Sequence, residues 1–404
     1  MAVAIALCVW TIKATATIGL SRMFVKYALS TGNLDAGNEA VRLTPKDAEA
    51  QFANAEVLSL ADRPVESEVA LENAIALRPA DYSLWLTLGL LRDQKGNREG
   101  ALAAFDQAVK RAPFYAQALW QRGNLLLRSG QYEPAFRDLN QAAQSDPELL
   151  PNLVDLAWGI SRGDTKLTEQ LIQNKSEKMR LAFARTLARQ GKAAEAVSQF
   201  RQAGRVPPDV KRELVDQLIG RGNFREGFEI WKGDQTIDGA APIYDGGFEA
   251  PLALDQGGFG WRVPRTLPAI NLSLDSNKAH TGSKSLRIEF TGDSTTAPPS
   301  LTQMVLVEPS KRYRLSFAAS SHELVSGGLP FVVVNSASAD RKVLGQSVPL
   351  SPGTREWQVH SFEFSTPPGA AAVLMTLQRQ SCTTSPCPSF GSVWLDSFSL
   401  EQVK

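Results

Sequence analysis

The sequence predicts two architectures in series, an α-solenoid over 23–232 and an antiparallel β-sandwich over 242–404. Three observations predict them. Pro45, Pro79, Pro113 and Pro147 recur at a fixed interval of 34 residues, the period of a helical hairpin stacked on copies of itself. Composition then turns over: a linker at 233–241 is rich in Gly, Ala and Asp, and beyond it Ser, Thr, Pro and β-branched residues displace the Ala, Leu, Gln and Arg of the first part. In that second part Tyr313, Leu315 and Phe317 alternate with Arg312, Arg314 and Ser316, the spacing of a strand with one wet face.

Taken in order, Met1 to Leu20 is uncharged except for Lys13. We expect a membrane anchor or uncleaved signal over 1–22, with Arg22 and Lys26 at the membrane edge; the alternative is that this segment is the first solenoid helix. Cys8 is no lipid-attachment site, because Leu7 stands where a small residue is required. In the repeats Ala74, Ala108 and Ala142 fall in register, three residues after Leu71, Phe105 and Leu139. Small and bulky residues at helical spacing are what two antiparallel helices need where their backbones approach. Gly89 and Gly123 hold the small position of the first helix beside bulky neighbours such as Trp85, Gly96 and Gly130 mark the break between helices, and each proline ends its unit. A later copy carries Gly191, Ala196, Phe200, Ala203 and Pro208, with 17 residues from glycine to proline as before. Gly32 to Pro45 spans only 13 residues and Pro147 to Pro208 spans 61, not two full periods, so irregular hairpins are expected there. Arg212 to Trp231, turning at Gly222 and Asn223, reads as the terminal repeat that closes the array.

Trp85, Leu88, Gly89, Ala101, Phe105, Ala108 and Pro113 resemble the signature of the tetratricopeptide repeat (TPR). The resemblance implies a curved groove lined by positions two, five, nine and twelve of each first helix. Here those are Glu49, Phe52, Glu56 and Ser59, then Ser83, Leu86, Leu90 and Asp93, then Gln117, Trp120, Asn124 and Leu127. The fifth position is apolar each time, which favours an apolar peptide or helix as partner over a clamp on a C-terminal carboxylate. The competing reading is that Phe52 and Trp120 pack against the adjacent hairpin.

Strands are predicted over 285–290, 302–307, 312–317, 331–335, 357–364, 372–377 and 392–400, parted by Pro, Gly and Ser turns. Asp245-Gly-Gly-Phe-Glu249, Trp261, His280-Thr-Gly-Ser-Lys-Ser-Leu286, the Tyr313 strand and Val393-Trp-Leu-Asp396 resemble the jelly-roll carbohydrate-binding modules attached to glycoside hydrolases. The resemblance covers 243–403. It implies a structural calcium held by Glu249 and Asp396 with backbone carbonyls near Gly247 and Lys284; the alternative is a hydrogen-bonded pair of carboxylates at a strand end. Asp245 and Ser397 depart from the family, which usually has Asn and a second acid there. For glycan contact, which needs an aromatic face exposed beside polar groups, Trp261 is the candidate, against the reading that it folds back on the sandwich. Trp357 and Trp394 are expected in the core.

Charge and motif content bound the chemistry. The chain holds 43 Lys plus Arg against 42 Asp plus Glu, a formal +1, and 242–404 is balanced, so a nucleic-acid footprint is not expected. The three histidines, His280, His322 and His360, all lie in the sandwich, no Cys has a plausible base, and no phosphate-cradling loop precedes a helix; a catalytic function is not expected. Cys382 and Cys387 flank a short loop that could close as a disulfide, which fits an oxidising compartment. Two function classes follow. One is a non-catalytic extracytoplasmic scaffold, periplasmic or at the cell surface, whose repeats hold a protein and whose sandwich contacts polysaccharide or a second protein, in bacterial envelope or exopolysaccharide assembly. The other is an accessory subunit or unrecognised hydrolase acting on polysaccharide.

Overall fold

A helix-stopping proline at the same point of every period forces the chain to turn there, and the computed structural model places each of these four prolines in a turn between hairpins. The structure describes residues 2–173, 175–233, 242–254, 257–264, 269–293, 301–338, 340–382 and 387–403; most of the expected linker therefore lies outside the described residues. Two compact units result, Met1–Ala182 and Phe183–Lys404.

In the first unit α1 (Ala2–Thr31) pairs with α2 (Leu34–Leu43), α3 (Ala48–Leu60) with α4 (Pro64–Leu77), α5 (Tyr82–Gln94) with α6 (Arg98–Arg111), α7 (Ala116–Arg128) with α8 (Tyr132–Ser145), and α9 (Leu150–Ile160) with α10 (Thr165–Ile172). Polar side chains start the helices: Asp47, Asp81 and Asn97 accept from the free N–H groups of Glu49, Ser83 and Gly100 at 3.1, 3.0 and 2.9 Å, satisfying donors that have no partner within the helix. The turn-proline carbonyls are taken by side chains of neighbouring helices, Gln51 on Pro45, Trp85 on Pro79 and Gln141 on Pro113, at 2.9, 3.0 and 2.9 Å. Inside each hairpin the small positions face the large ones. A Cβ at Gly89 would stand 2.5 Å from the Phe105 ring, and one at Gly123 would stand 2.8 Å from Leu139 Cγ. Ala74, Ala108 and Ala142 are fully buried at the same level. The first hairpin is irregular as its spacing predicts: α2 has 10 residues where α4, α6 and α8 have 14, one turn less.

The second unit opens within α11 (Glu177–Arg189), continues through α12 (Ala193–Ala203), α13 (Pro208–Gly220) and α14 (Phe224–Lys232), and ends in the sandwich. The last helices thus share a unit with the strands rather than with the earlier repeats. The reason is a cluster of rings: Phe228 and Trp231 of α14 meet Phe259 at 5.1 and 5.9 Å between centroids, and Trp231 meets Tyr244 edge-on at 5.0 Å. Gly258 makes this approach possible, since its φ of +100° suits only glycine and a Cβ there would lie 2.4 Å from Trp231 Cδ1.

Eleven strands among the described residues form two sheets. They are β1 (Ala253–Leu254), β2 (Arg262–Val263), β3 (Ile270–Asp275), β4 (Ser285–Asp293), β5 (Leu301–Leu306), β6 (Arg312–Ser326), β7 (Pro330–Ser336), β8 (Val343–Gln346), β9 (Gly353–Ser365), β10 (Ala372–Arg379) and β11 (Pro388–Val403). One sheet runs β1-β2-β5-β10-β7-β8 and the other β3-β4-β11-β6-β9. All pairings are antiparallel except β1 with β2. Every strand predicted from the sequence is present. The alternation in β6 buries Tyr313, Leu315 and Phe317 and exposes Arg312 and Arg314, and Leu286, Ile288, Phe317, Val334, Met375 and Val393 fill the space between the sheets. β3 and β8, which carry little burial on either face, had no pattern to announce them.

Candidate functional site

The surface that the repeats expose for a partner is built by the first helices of successive hairpins, α3, α5 and α7. Phe52 is partly buried against the core of α4 and α5. Glu56 is half-buried, and burial raises its carboxyl above the usual glutamate range. Leu90, Trp120 and Leu127 keep part of their surface, Gln117 is exposed, and Asn124 donates to Trp120 O at 2.9 Å. Asp93 is held by Arg128 of the next first helix. Leu86 corrects the sequence reading. Only 6% exposed, it packs with Ala118 and Leu119 between hairpins and has no surface to offer a partner.

What sequence reasoning missed is the ionic framing of these helices. Arg92 of α5 bonds Glu68 and Glu72 of α4 at 2.7 Å each, and Arg122 of α7 reaches Asp138 of α8 at 2.6 Å and Asp106 of α6 at 2.9 Å. These pairs join residues far apart in sequence and do not recur at the 34-residue period, so no motif announces them.

At the start of the array α1 is one helix with two environments. Ser21, Val25 and Ala28 are buried against α2 and α3, whereas Trp10, Ile12, Ile18 and Leu20 stand 67, 69, 52 and 44% exposed. From Ser21 onward the helix follows the second of its two sequence readings, the first solenoid helix. Among the described residues no helix is long and apolar enough to cross a membrane.

In the sandwich, Glu249 and Asp396 converge on the 280–284 loop as its hydrogen-bond acceptors. Glu249 accepts from Ser283 N at 2.7 Å, Ser283 Oγ and Lys284 N at 3.1 Å, and these donors, the Ser283 hydroxyl foremost, hold its carboxyl below the usual glutamate range. Asp396 is fully buried and accepts from His280 N, Thr281 N and Ser397 N at 2.7, 3.0 and 2.6 Å. Ser397, where the module family has an acid, lies within hydrogen-bond distance of His280 Nδ1 and Thr281 Oγ1. Lys284 presents its N–H to the Glu249 carboxylate and its Nζ to Glu249 O, and Gly247 lies beside Asp396, a Cβ there standing 3.7 Å from Oδ1. Calcium takes six to eight oxygens; here the carboxylate oxygens of Glu249 and Asp396 face N–H and O–H donors. As placed, these residues make the hydrogen bonds of the alternative, a latch at the strand ends.

Trp261 is 5% exposed, donates Nε1 to Asp245 O at 2.8 Å and stacks on Phe248 at 4.8 Å, so it folds back on the sandwich and is not the exposed sugar platform expected. The Phe248 ring, fully buried, pulls it in. Trp394 is buried, with Nε1 on Asp275 Oδ2 at 2.9 Å. Trp357 departs from the core assignment: it is only partly covered, on edge strand β9, 5.5 Å from His280. Cys382 and Cys387 are disulfide-bonded, their Cα atoms 5.8 Å apart.

No curated protein matches the chain in sequence. Among solved structures, a TPR protein with an unusual peptide-binding site, YrrB, is 17% identical over 49% of this chain and 90% of its own, with a TM-score of 0.28. MamA is 12% identical over 52% and 95%, with a TM-score of 0.31, and a CBM4 structure is 14% identical over 40% and 99%, with a TM-score of 0.30. None of these superpositions is close enough to bear on function. Residues 86–149, from α5 to the end of α8 and the turn after it, match the tetratricopeptide repeat family, whose members are generally protein-interaction scaffolds.

Proposed function

We propose that the chain is a non-catalytic extracytoplasmic scaffold. Its repeats hold an apolar segment of a protein partner along α3, α5 and α7, its sandwich meets glycan or a second protein, and the exposed part of α1 attaches it to a membrane. The observation that carries the reading is the row of half-covered side chains, Phe52, Glu56, Leu90, Trp120 and Leu127, on successive first helices of an array matched to an interaction family. A half-covered apolar side chain is already positioned by its neighbours, so little entropy is lost when a partner covers the remainder. The disulfide at Cys382 and Cys387 supports an oxidising compartment, and a role in envelope or exopolysaccharide assembly is consistent with glycan contact.

The test is site-specific photo-crosslinking in host cells from Leu90 and Leu127, with Val69 and Phe114, which are exposed and outside this row, as controls. The reading requires one protein captured from the first two positions and not from the controls. Equal capture from all four, or from none, rejects it.

A further inference from the structure

The disulfide of the sandwich joins two unlike sulfurs. Cys382, shortly after the end of β10, keeps part of its surface, whereas Cys387, just before β11, is 7% exposed. Against the buried sulfur lies a cation. Arg379, the last residue of β10, is itself buried, and its Nη2 stands 3.1 Å from Cys387 Sγ. That contact is one of several the guanidinium makes: Nε donates to Gly328 O at 3.0 Å, and Nη2 donates to Ser326 Oγ at 3.1 Å and to Cys387 O at 3.2 Å. The end of β6, the turn after it and the residue before β11 thus hold one side chain, and its planar fork keeps the charge in place.

Sequence supplies the fit. Residues 327 and 328 are both glycine, and a Cβ on either would stand 3.0 or 3.3 Å from Cys382 Sγ. The turn therefore passes beside Cys382 with backbone alone, and it delivers Gly328 O to Arg379. Exchange of a thiolate into a disulfide is faster when the attacked sulfur is open and when the leaving sulfur carries negative charge well, as it does beside a guanidinium. The fold gives these two properties to opposite ends of one bond.

We propose that this disulfide is a thiol-exchange site, entered at Cys382 by a thiolate of a dithiol reductant of the thiol–disulfide oxidoreductase class. The incoming sulfur bonds to Cys382 Sγ, the bond between the two Sγ atoms breaks, and its electron pair leaves on Cys387 as a thiolate beside Arg379. The second thiolate of the reductant then displaces Cys382 from the mixed disulfide. The reductant ends as a disulfide and the chain as a dithiol, two electrons having passed between them. Arg379 is a positioning residue in this step, acting through the sulfur that leaves.

The experiment reads position and rate on the folded full chain, with Cys8, the exposed free thiol, first blocked by iodoacetamide. Glutathione, a monothiol that stops at the mixed disulfide, is added, the mixture is quenched in acid, and the adduct is mapped by mass spectrometry. It should sit on Cys382 over Cys387 by about tenfold or more, and the preference should vanish in urea, where the fold no longer sets Arg379 against Cys387. Dithiothreitol, a dithiol, gives the rate of full reduction. Arg379→Met should slow it about fivefold and Arg379→Lys should restore most of it, the unfolding midpoint of each oxidised variant being measured alongside. An adduct on Cys387, an even split in the folded chain, no adduct, or the same preference in urea each overturns the assignment, and these outcomes need no variant to fold. So does a folded Arg379→Met that reacts at the wild-type rate, or a folded Arg379→Lys as slow as Arg379→Met.

Discussion

Gly89 shows how a single side chain, or its lack, decides the packing of a hairpin. Its missing Cβ is where the Phe105 ring sits, so Gly89→Val should destabilise the chain by about 1–3 kcal/mol through overpacking, read as a lower urea midpoint with unchanged slope. Asp396 is the corresponding residue of the sandwich. Asp396→Ala leaves three backbone N–H groups without their acceptor, a loss of about 2–4 kcal/mol, and we expect chelator or added calcium to move the wild-type unfolding midpoint little. Glu249 gives the latch a pH dependence. Its folded carboxyl lies below the ordinary value of 4.5, so its contribution is present above that value and is lost as pH falls below it. Glu249→Gln should therefore narrow the gap in thermal midpoint between pH 6 and pH 3. The motif residues Glu249 and Asp396 were legible in sequence, but the direction in which the loop's N–H groups point, which makes the two carboxylates acceptors of a latch, was not.

Helices and strands were read with less effort than their contacts. The 34-residue spacing and the Gly/Ala-to-bulky register located α3 to α8 because each small residue has one opposing large one, a local constraint written twice. The strands appeared wherever one face is buried, whereas β3 and β8 are covered too little for alternation to persist, and on β9, read correctly as a strand, the same thin cover leaves Trp357 out of the core. Ion pairs between helices have no such record. Arg122 holds Asp138, whose side chain is 6% exposed while that of the arginine is 22% exposed. Arg122→Ala should cost roughly 1–3 kcal/mol, less than a fully buried pair because water partly screens the site. Exchanging both partners, as Arg122→Leu with Asp138→Leu, should recover much of it, and a double-mutant cycle by denaturant unfolding measures the coupling.

For the molecule as a whole, the boundary was legible as a change of composition and displaced as a structure, because rings from both sides of that change pack together. A fragment of 176–404 should unfold in one cooperative step, while 242–404, stripped of Phe228 and Trp231, should bind a hydrophobic dye and unfold at lower temperature. At the other end, Ile12→Ser with Ile18→Ser should leave the unfolding midpoint within error, since both are exposed, and should reduce flotation of the chain with lipid vesicles if α1 is the membrane contact. The four-ring cluster also has a meaning for how such a chain can be reassembled. A graft that joins this sandwich to a different helical array at residue 233 would inherit Tyr244 and Phe259 facing a stranger's surface, with Gly258 shaped for an indole no longer there. The portable piece is the sandwich together with its last hairpin, and a transplant that keeps them together carries its own adhesive.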